Sequence, residues 1–385
     1  MVVGSTAETL PAKTMPRRKR LVLVGAGHAH LYTLKRAASF VERGHEVTLI
    51  APDDFWYSGL ATGMLGGWYP PELDRIAVGA LVSRAGGQFL QDCVTGIDTG
   101  GRTVTLGGGG ALPYDALSLN LGSETPPIPG EDLQPNRCFA AKPIWRLWEL
   151  HRTIDQRLAA SGAQLLRIVV AGGGATAFEL AGNLLRLGEA SGSRLSVVIL
   201  AGGDRTLAQL PPRAAQAVIG ALRRRGATIL AGRAAQVRSD EVVTAAGHSH
   251  PYDLFLNATG LRPHPLARAA SLPVAADGAM IVDAHLRSPA DPVVHGGGDA
   301  VAFEGCRLPQ AGVYAIRQAP VLCANLLASL EGHAPTRFVP QRRYLWIMNL
   351  GDGTGLAARG SLWWMGRSAF WLKHWIDLRF LRGYR

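Results

Sequence analysis

RLVLVGAGHAHLYTLKRAASFVERGHEVTLIAPDD, residues 20–54, reads as strand, glycine turn, helix, strand. The apolar run at 21–24 has the character of a strand covered on both faces, as in a parallel sheet. Gly25 admits a tight turn. Gly27 lets the backbone approach a pyrophosphate at the helix N-terminus, where unpaired N–H groups and the helix dipole favour an anion. The third glycine position of this fingerprint holds His30, and the second strand ends at Ile50 and Ala51 with no acid. Asp53 or Asp54, just beyond, is then the candidate for a ribose.

One such unit is a weak signal. A second follows in LRIVVAGGGATAFELAGNLLRLGEASGSRLSVVILAGGDRTL, residues 166–207, with Gly172 and Gly174 in the first two positions and Ala177 in the third. Two units in one chain predict two dinucleotide-binding domains. Between them, FLQDCVTGIDTGGRTVTLGGGGALPYDALSLNLGS alternates β-branched and polar residues around the glycines at 107–110, which predicts an antiparallel meander. Farther on, VVHGGGDAVAF carries a strand into Gly297, Gly298 and Asp299. A carboxylate there can accept hydrogen bonds from a polyol chain, or cap the helix that follows.

Composition agrees with a folded α/β chain. The 385 residues are 47% hydrophobic and 18% charged. The net charge of +11, mostly from arginine, suits phosphate-bearing cofactors or an acidic membrane surface. No nucleic-acid module is recognisable, so no nucleic-acid partner is expected. Cys93, Cys138, Cys306 and Cys323 stand far apart, with no CxxC and no zinc spacing, which points to a reducing, cytoplasmic compartment. His28 and His30 have no third ligand nearby, and no metal is expected. Residues 1–19 read as a flexible basic leader, and no run of about 18 apolar residues marks a spanning helix.

The segments LVLVGAGHAHL, FWYSGLATGMLGGWYPPE, AAKPI, AGGGATAFELAG, YDLFLNATGLRPH, VVHGGGDA and LPQAGVYAIRQAPVLCANL together carry a family resemblance. The chain resembles the flavoproteins with two dinucleotide-binding domains, in the branch of type II NADH:quinone dehydrogenases and sulfide:quinone oxidoreductases. It is most similar to the flavoprotein domain fused in some proteins to selenophosphate synthetase. The resemblance implies two Rossmann-like domains, the second inserted in the first: FAD bound by 20–125 with 265–330, and NAD(P)H by 126–264. Gly25, Gly27 and His28 would hold the FAD pyrophosphate, Val94 would meet the adenine through its backbone, and Gly298 and Asp299 would face the ribityl chain and flavin. Gly172, Gly174 and Glu179 would serve the nicotinamide side, and Gln318 would close the flavin's quinone face.

The implied activity is transfer of electrons from NAD(P)H to a quinone or another small acceptor. Hydride transfer needs stacking and orientation, whereas quinone reduction also consumes two protons. Glu179 could relay them, or simply anchor its helix; Lys142 could neutralise reduced flavin or pair with Glu179. Ala201 stands where a ribose-binding acid is usual, with Asp204 and Arg205 beyond it, so NADH and NADPH are both open. Two alternatives accompany this reading. One is a sulfur- or selenium-linked quinone reductase, for which Cys138 lacks a partner thiol. The other is a flavin-binding redox module with little catalysis.

Residues 331–385 complete the pattern as an amphipathic, membrane-associating segment. On a helical wheel Met365, Ala369, Leu372, Ile376 and Phe380 form one stripe. Trp364, Trp371, Trp375 and Leu378 form a second, beside Arg367 and Arg382. One stripe suffices to dock on the chain's own domain. Tryptophans with flanking arginines suit a membrane interface, or else the second stripe packs in a homodimer. The expected location is the cytoplasmic face of a membrane.

Overall fold

The computed structural model describes residues 18–161, 165–192, 195–202, 206–304, 308–341 and 343–385. The run at 21–24 belongs to β1 (Arg20–Val24), and the glycine turn delivers the chain into α1 (His28–Lys35) and then β2 (Glu46–Ala51). β3 (Gln88–Gln91) follows. Next come the strands Val94–Asp98, Thr103–Leu106 and Ala111–Pro113, which pair antiparallel as the expected meander, and then β4 (Ala116–Leu119).

The chain now leaves this sheet to build another. β5 (Cys138–Ala140), β6 (Leu166–Ala171), α2 (Ala175–Ser191), β7 (Leu195–Ala201), β8 (Thr228–Ala231) and β9 (Leu254–Asn257) supply it. β10 (Val294–Gly296) returns to the first sheet. The strand orders are β10-β4-β1-β2-β3 and β5-β9-β6-β7-β8, and every neighbour is parallel. Each sheet therefore has a core on its faces: Leu21, Leu23, Leu31, Leu49 and Leu117 in the first, Ile168, Val170, Phe178, Leu184 and Ile199 in the second.

α3 (Gly312–Glu331) packs along α1. By length and composition it could cross a membrane, contrary to the sequence reading, but 56% of its apolar window is buried inside the fold. Its apolar residues, among them Leu322 and Leu326, belong to the first core.

The C-terminal segment departs most from expectation. It begins with an antiparallel sheet of β11 (Trp346–Asn349), β12 (Gly355–Arg359) and β13 (Leu362–Gly366), and only then becomes α4 (Arg367–Arg382). Trp364 and Met365 lie on a strand, so neither wheel stripe exists as drawn. The sheet packs into the second core through Met348, Leu350, Leu356 and Ala358. The far end of α4 packs into the first core through Leu381, with Phe380 stacked on Tyr57 at 4.7 Å. The segment thus bridges both sheets.

Candidate functional site

At the first glycine turn, Gly25 takes φ +84°, a conformation that only glycine adopts without strain. The turn is stitched by Asn120, the residue after β4, which the sequence reading missed. Its carbonyl accepts from Gly27 N (3.1 Å), its side-chain Oδ1 accepts from Ala29 N (2.9 Å) and His30 N (3.2 Å), and its Nδ2 donates to Gly297 O (2.6 Å). A Cβ on Gly25 would lie 2.6 Å from the Asn120 carbonyl, and one on Gly27 would overlap the Asn120 amide. Both glycines are thus required by the protein itself as well as by any phosphate.

His30, in place of the third glycine, is fully buried. Nδ1 bonds Gly25 O (2.6 Å) and Nε2 bonds Ser118 Oγ (2.8 Å). Because a carbonyl only accepts, Nδ1 carries the proton and Nε2 accepts from the serine. Burial pushes its pKa down to about 4, so the ring is a neutral cross-link between helix and sheet.

Asp299 and Lys142 meet at this turn. Lys142 Nζ donates to Asp299 Oδ2 (2.8 Å) and to Ser123 Oγ (2.9 Å), and Ser123 in turn donates to Asp299 Oδ2 (2.8 Å). Burial works against the Asp299 charge, but Lys142 and Ser123 hold the carboxyl below its usual range. Of the two roles open to Lys142 in the sequence, pairing with Glu179 does not occur; its carboxyl partner is Asp299. Gln318 Oε1 accepts from Gly298 N (2.6 Å), so this glutamine fixes the glycine beside Asp299. His28, lowered to about 4 by burial, lies edge-on to Phe55 at 4.7 Å. Val94 is buried at the start of the meander, and Asp53 accepts from Asp54 N (2.7 Å) at an exposed turn beyond β2.

These residues fit FAD. Asn120 caps Ala29 and His30 from outside the helix, and the first turn of α1 carries no acid that would repel a phosphate. Gln310 Nε2 is a buried donor with no acceptor among the described residues, and it lines a small cavity with Gly298, Asp299 and Gln318. Such an orphan suits a carbonyl-bearing ring.

The second turn is more open. α2 starts without a side-chain cap or first-turn acid, and among the described residues a Cβ on Gly174 would meet only Gln209 Nε2, at 3.9 Å. The N-terminus of a 17-residue helix favours an anion. Asp204 and Arg205 lie outside the described residues.

One turn into α2, Glu179 Oε1 accepts from Thr62 Oγ1 (3.0 Å) and Asn349 N (2.9 Å). Its ionic neighbour is Lys373 of α4. Lys373 Nζ donates to Asp377 Oδ2 (2.7 Å) and to the Gly59 carbonyl, and Tyr57 Oη donates to Asp377 Oδ1 (2.8 Å). Burial raises the Glu179 pKa, whereas Lys373 is raised against its burial by Asp377 and Glu179. Tyr69, pushed up to about 12 by burial, bonds His374 Nδ1 (3.0 Å). The inward face of α4 is therefore Ala369, Phe370, Lys373, Asp377 and Leu381, with two charged residues at its centre. Its outward face carries Trp371 and Trp375, more than half exposed, with Ile376 beside them and Leu362 and Trp364 exposed on β13.

The described thiols form no pair: Cys93 is exposed, and Cys138 and Cys323 are buried. Burial raises Cys138 to about 11, consistent with an inert thiol, and Cys306 lies outside the described residues. No group of three metal-ligating side chains occurs among the described residues.

Two coupled nucleotide cradles with a polar cluster between them define a flavin- and nicotinamide-dependent oxidoreductase. Residues 19–319 match the model of the pyridine nucleotide-disulphide oxidoreductases, and the chain belongs to that family. It is an FAD-dependent oxidoreductase whose cofactors are FAD and NAD(P)H. The demethylphylloquinone reductase NdbB of Synechocystis sp. is 26% identical over 375 residues, covering 89% of this chain and 87% of that one. The fold is shared with NDH2 of Plasmodium falciparum, solved with NADH, at TM-score 0.79 and 15% identity over 95% of this chain and 97% of that one. It is shared also with the sulfide:quinone oxidoreductase of Aquifex aeolicus, at TM-score 0.76 and 18% identity over 95% and 91%.

Proposed function

We propose that this protein passes electrons from NAD(P)H to a quinone at the cytoplasmic surface of a membrane. The observation that carries this reading is α4, which presents Lys373 and Asp377 inward beside Glu179 and Trp371 and Trp375 outward. When bound, FAD supplies the two-electron relay between nicotinamide and acceptor. Gly25, Gly27 and the backbone at His28 bind its pyrophosphate, Val94 its adenine, Asp53 its ribose, and Gly298 and Asp299 its ribityl chain. Lys142 holds Asp299 charged for that contact. Gly172 and Gly174 receive the nicotinamide nucleotide's pyrophosphate.

Reduction of a quinone to a quinol consumes two protons. Glu179, kept protonated by burial, and Lys373, kept charged by Asp377, are donors at the acceptor side. Gln318 acts by fixing Gly298. The outward tryptophans enter the headgroup layer, and arginines at 367, 379 and 382 add attraction to anionic lipid, worth about 1 kcal/mol each near the surface.

The test is an anaerobic spectrum of the purified protein. NADH or NADPH should bleach the flavin within turnover time, and a soluble quinone analogue should restore it. Bleaching without reoxidation would favour the redox-module alternative. The sulfur- or selenium-linked alternative keeps the sequence resemblance behind it but finds no thiol pair among the described residues. Sulfide bleaching the flavin would revive it.

A further inference from the structure

A third carboxyl lies behind the Lys373–Asp377 pair, and none of the roles above uses it. Asp74 ends the helical turn Pro71–Asp74, is fully buried, and has no hydrogen-bond partner on either carboxyl oxygen among the described residues. The charged groups facing it are Lys373 and Asp377, both from α4. Tyr57 faces it as well and donates its backbone N–H to the Asp74 carbonyl (2.8 Å). The next residue, Arg75, points away to Asp54 (3.2 Å), and Arg385 reaches only the backbone carbonyls of Glu72 and Leu73.

Three carboxyls, on Glu179, Asp377 and Asp74, therefore surround one ammonium. Asp377 has the ammonium and a tyrosine hydroxyl, and Glu179 has a hydroxyl and a backbone N–H. Asp74 has neither. A buried carboxylate without donors is far costlier than the neutral acid, so Asp74 keeps its proton, as Glu179 does, while Asp377 holds the charge opposite Lys373. Burial raises its pKa well above the ordinary carboxyl value, in the same sense.

We propose that Asp74 is an internal proton reservoir that reprotonates Lys373 after the acceptor has taken a proton from it. This rests on the quinone reading. NAD(P)H supplies a hydride, that is, two electrons and one proton; the acceptor gains two O–H bonds with protons from Glu179 and Lys373, and the hydride's proton restores Glu179. The Asp74 O–H then breaks and its proton passes by way of Asp377, the neighbour of both groups. An Nζ–H bond re-forms on Lys373, and Asp74 is left as a carboxylate opposite a restored ammonium. Solvent returns the proton between turnovers. Because neither Asp74 oxygen is within hydrogen-bond reach of Asp377, the passage requires one intervening water or a rotamer change. Asp74 acts through Lys373, and it does not touch the acceptor.

The experiment uses the full-length, FAD-loaded Asp74→Asn variant with two acceptors: a soluble quinone, and ferricyanide, which takes electrons without protons. Quinone kcat should fall about tenfold near pH 8.5, approach wild type near pH 6 where solvent protons are abundant, and leave KM unchanged. Ferricyanide reduction should match wild type at every pH, and Asp74→Glu should recover part of the loss. An unchanged quinone profile would overturn the reservoir, and so would equal losses with both acceptors, which mark a structural role. If the wild type reduces ferricyanide but no quinone, the functional reading itself fails. A melting series gives a readout independent of turnover. A carboxyl whose folded pKa is raised costs nothing below its unfolded value, and its cost grows as pH rises towards the folded value. The Tm advantage of Asp74→Asn should therefore widen from about pH 4 upward; a constant gap would mean that Asp74 holds no proton in the fold.

Discussion

The two nucleotide cradles arise from the same sequence pattern but are finished differently. Each central strand runs into glycines, and each has a neighbouring strand ending in the same four-residue pattern, LSLN at 117–120 and LFLN at 254–257. In the first cradle Asn120 turns back and ties the start of α1 to Gly297, while His30 rivets the helix to Ser118. In the second, Asn257 turns away to Pro126 O (3.0 Å) and Glu131 (2.7 Å), and Ala177 fills the place that His30 occupies in the first. The first cradle is closed by side-chain hydrogen bonds, as suits a cofactor that stays. The second is left small and open, as suits one that comes and goes, and its helix carries the titratable Glu179.

The harshest test of this contrast is Gly27→Val. Its side chain must displace the Asn120 amide, so the purified protein should be colourless, with flavin content below about a tenth of wild type by absorbance. Full yellow colour would mean that Asn120 does not set the cradle. Next comes Glu179→Gln, which should retain flavin but slow quinone turnover by about 10²-fold. Wild-type kcat should fall as pH rises through the elevated Glu179 pKa, and the variant should lack that limb. Flavin loss from this variant would erase the distinction between a binding cradle and a chemical one. Smallest are two glycine substitutions at the matching positions. His30→Gly, although it restores the usual fingerprint, should cost about 2–4 kcal/mol in denaturant melts, because it strands Ser118 and opens a hole. Ala177→Gly should cost about 1 kcal/mol. Equal costs would mean that His30 is no rivet.

A separate substitution sharpens the inward–outward division of α4. Trp371→Ser with Trp375→Ser should release the protein from anionic vesicles in co-sedimentation while soluble acceptors are still reduced. Removing residues 361–385 would be a poorer test, because it also removes buried Phe370 and the Lys373–Asp377 pair.

The glycine turns, both parallel units and the meander were legible because each is a local signal: strand hydrophobicity, a turn residue, a helix start. Asn120 was not, since an asparagine after a strand has many uses and only tertiary placement brings it to α1; the repeated LxLN was the available clue. Lys373 and Asp377 were missed for a different reason. A helical wheel assumes that the buried face is apolar, and the inward face of α4 has an ion pair at its centre. Lys142 was offered reduced flavin or Glu179 as its partner, whereas the side chain it pairs with is Asp299; nothing local distinguishes Glu179 from Asp299.

The C-terminal segment has its sheet in one core and the end of its helix in the other. Two nucleotide-binding units joined only by crossing chains would be free to melt separately. Here, opening either unit strips apolar surface from a segment the other also needs, and it pulls the Lys373–Asp377 pair away from Tyr57 or from Glu179. Loss of one unit therefore destabilises its neighbour, and the protein should unfold in a single calorimetric transition, with calorimetric and van't Hoff enthalpies in agreement.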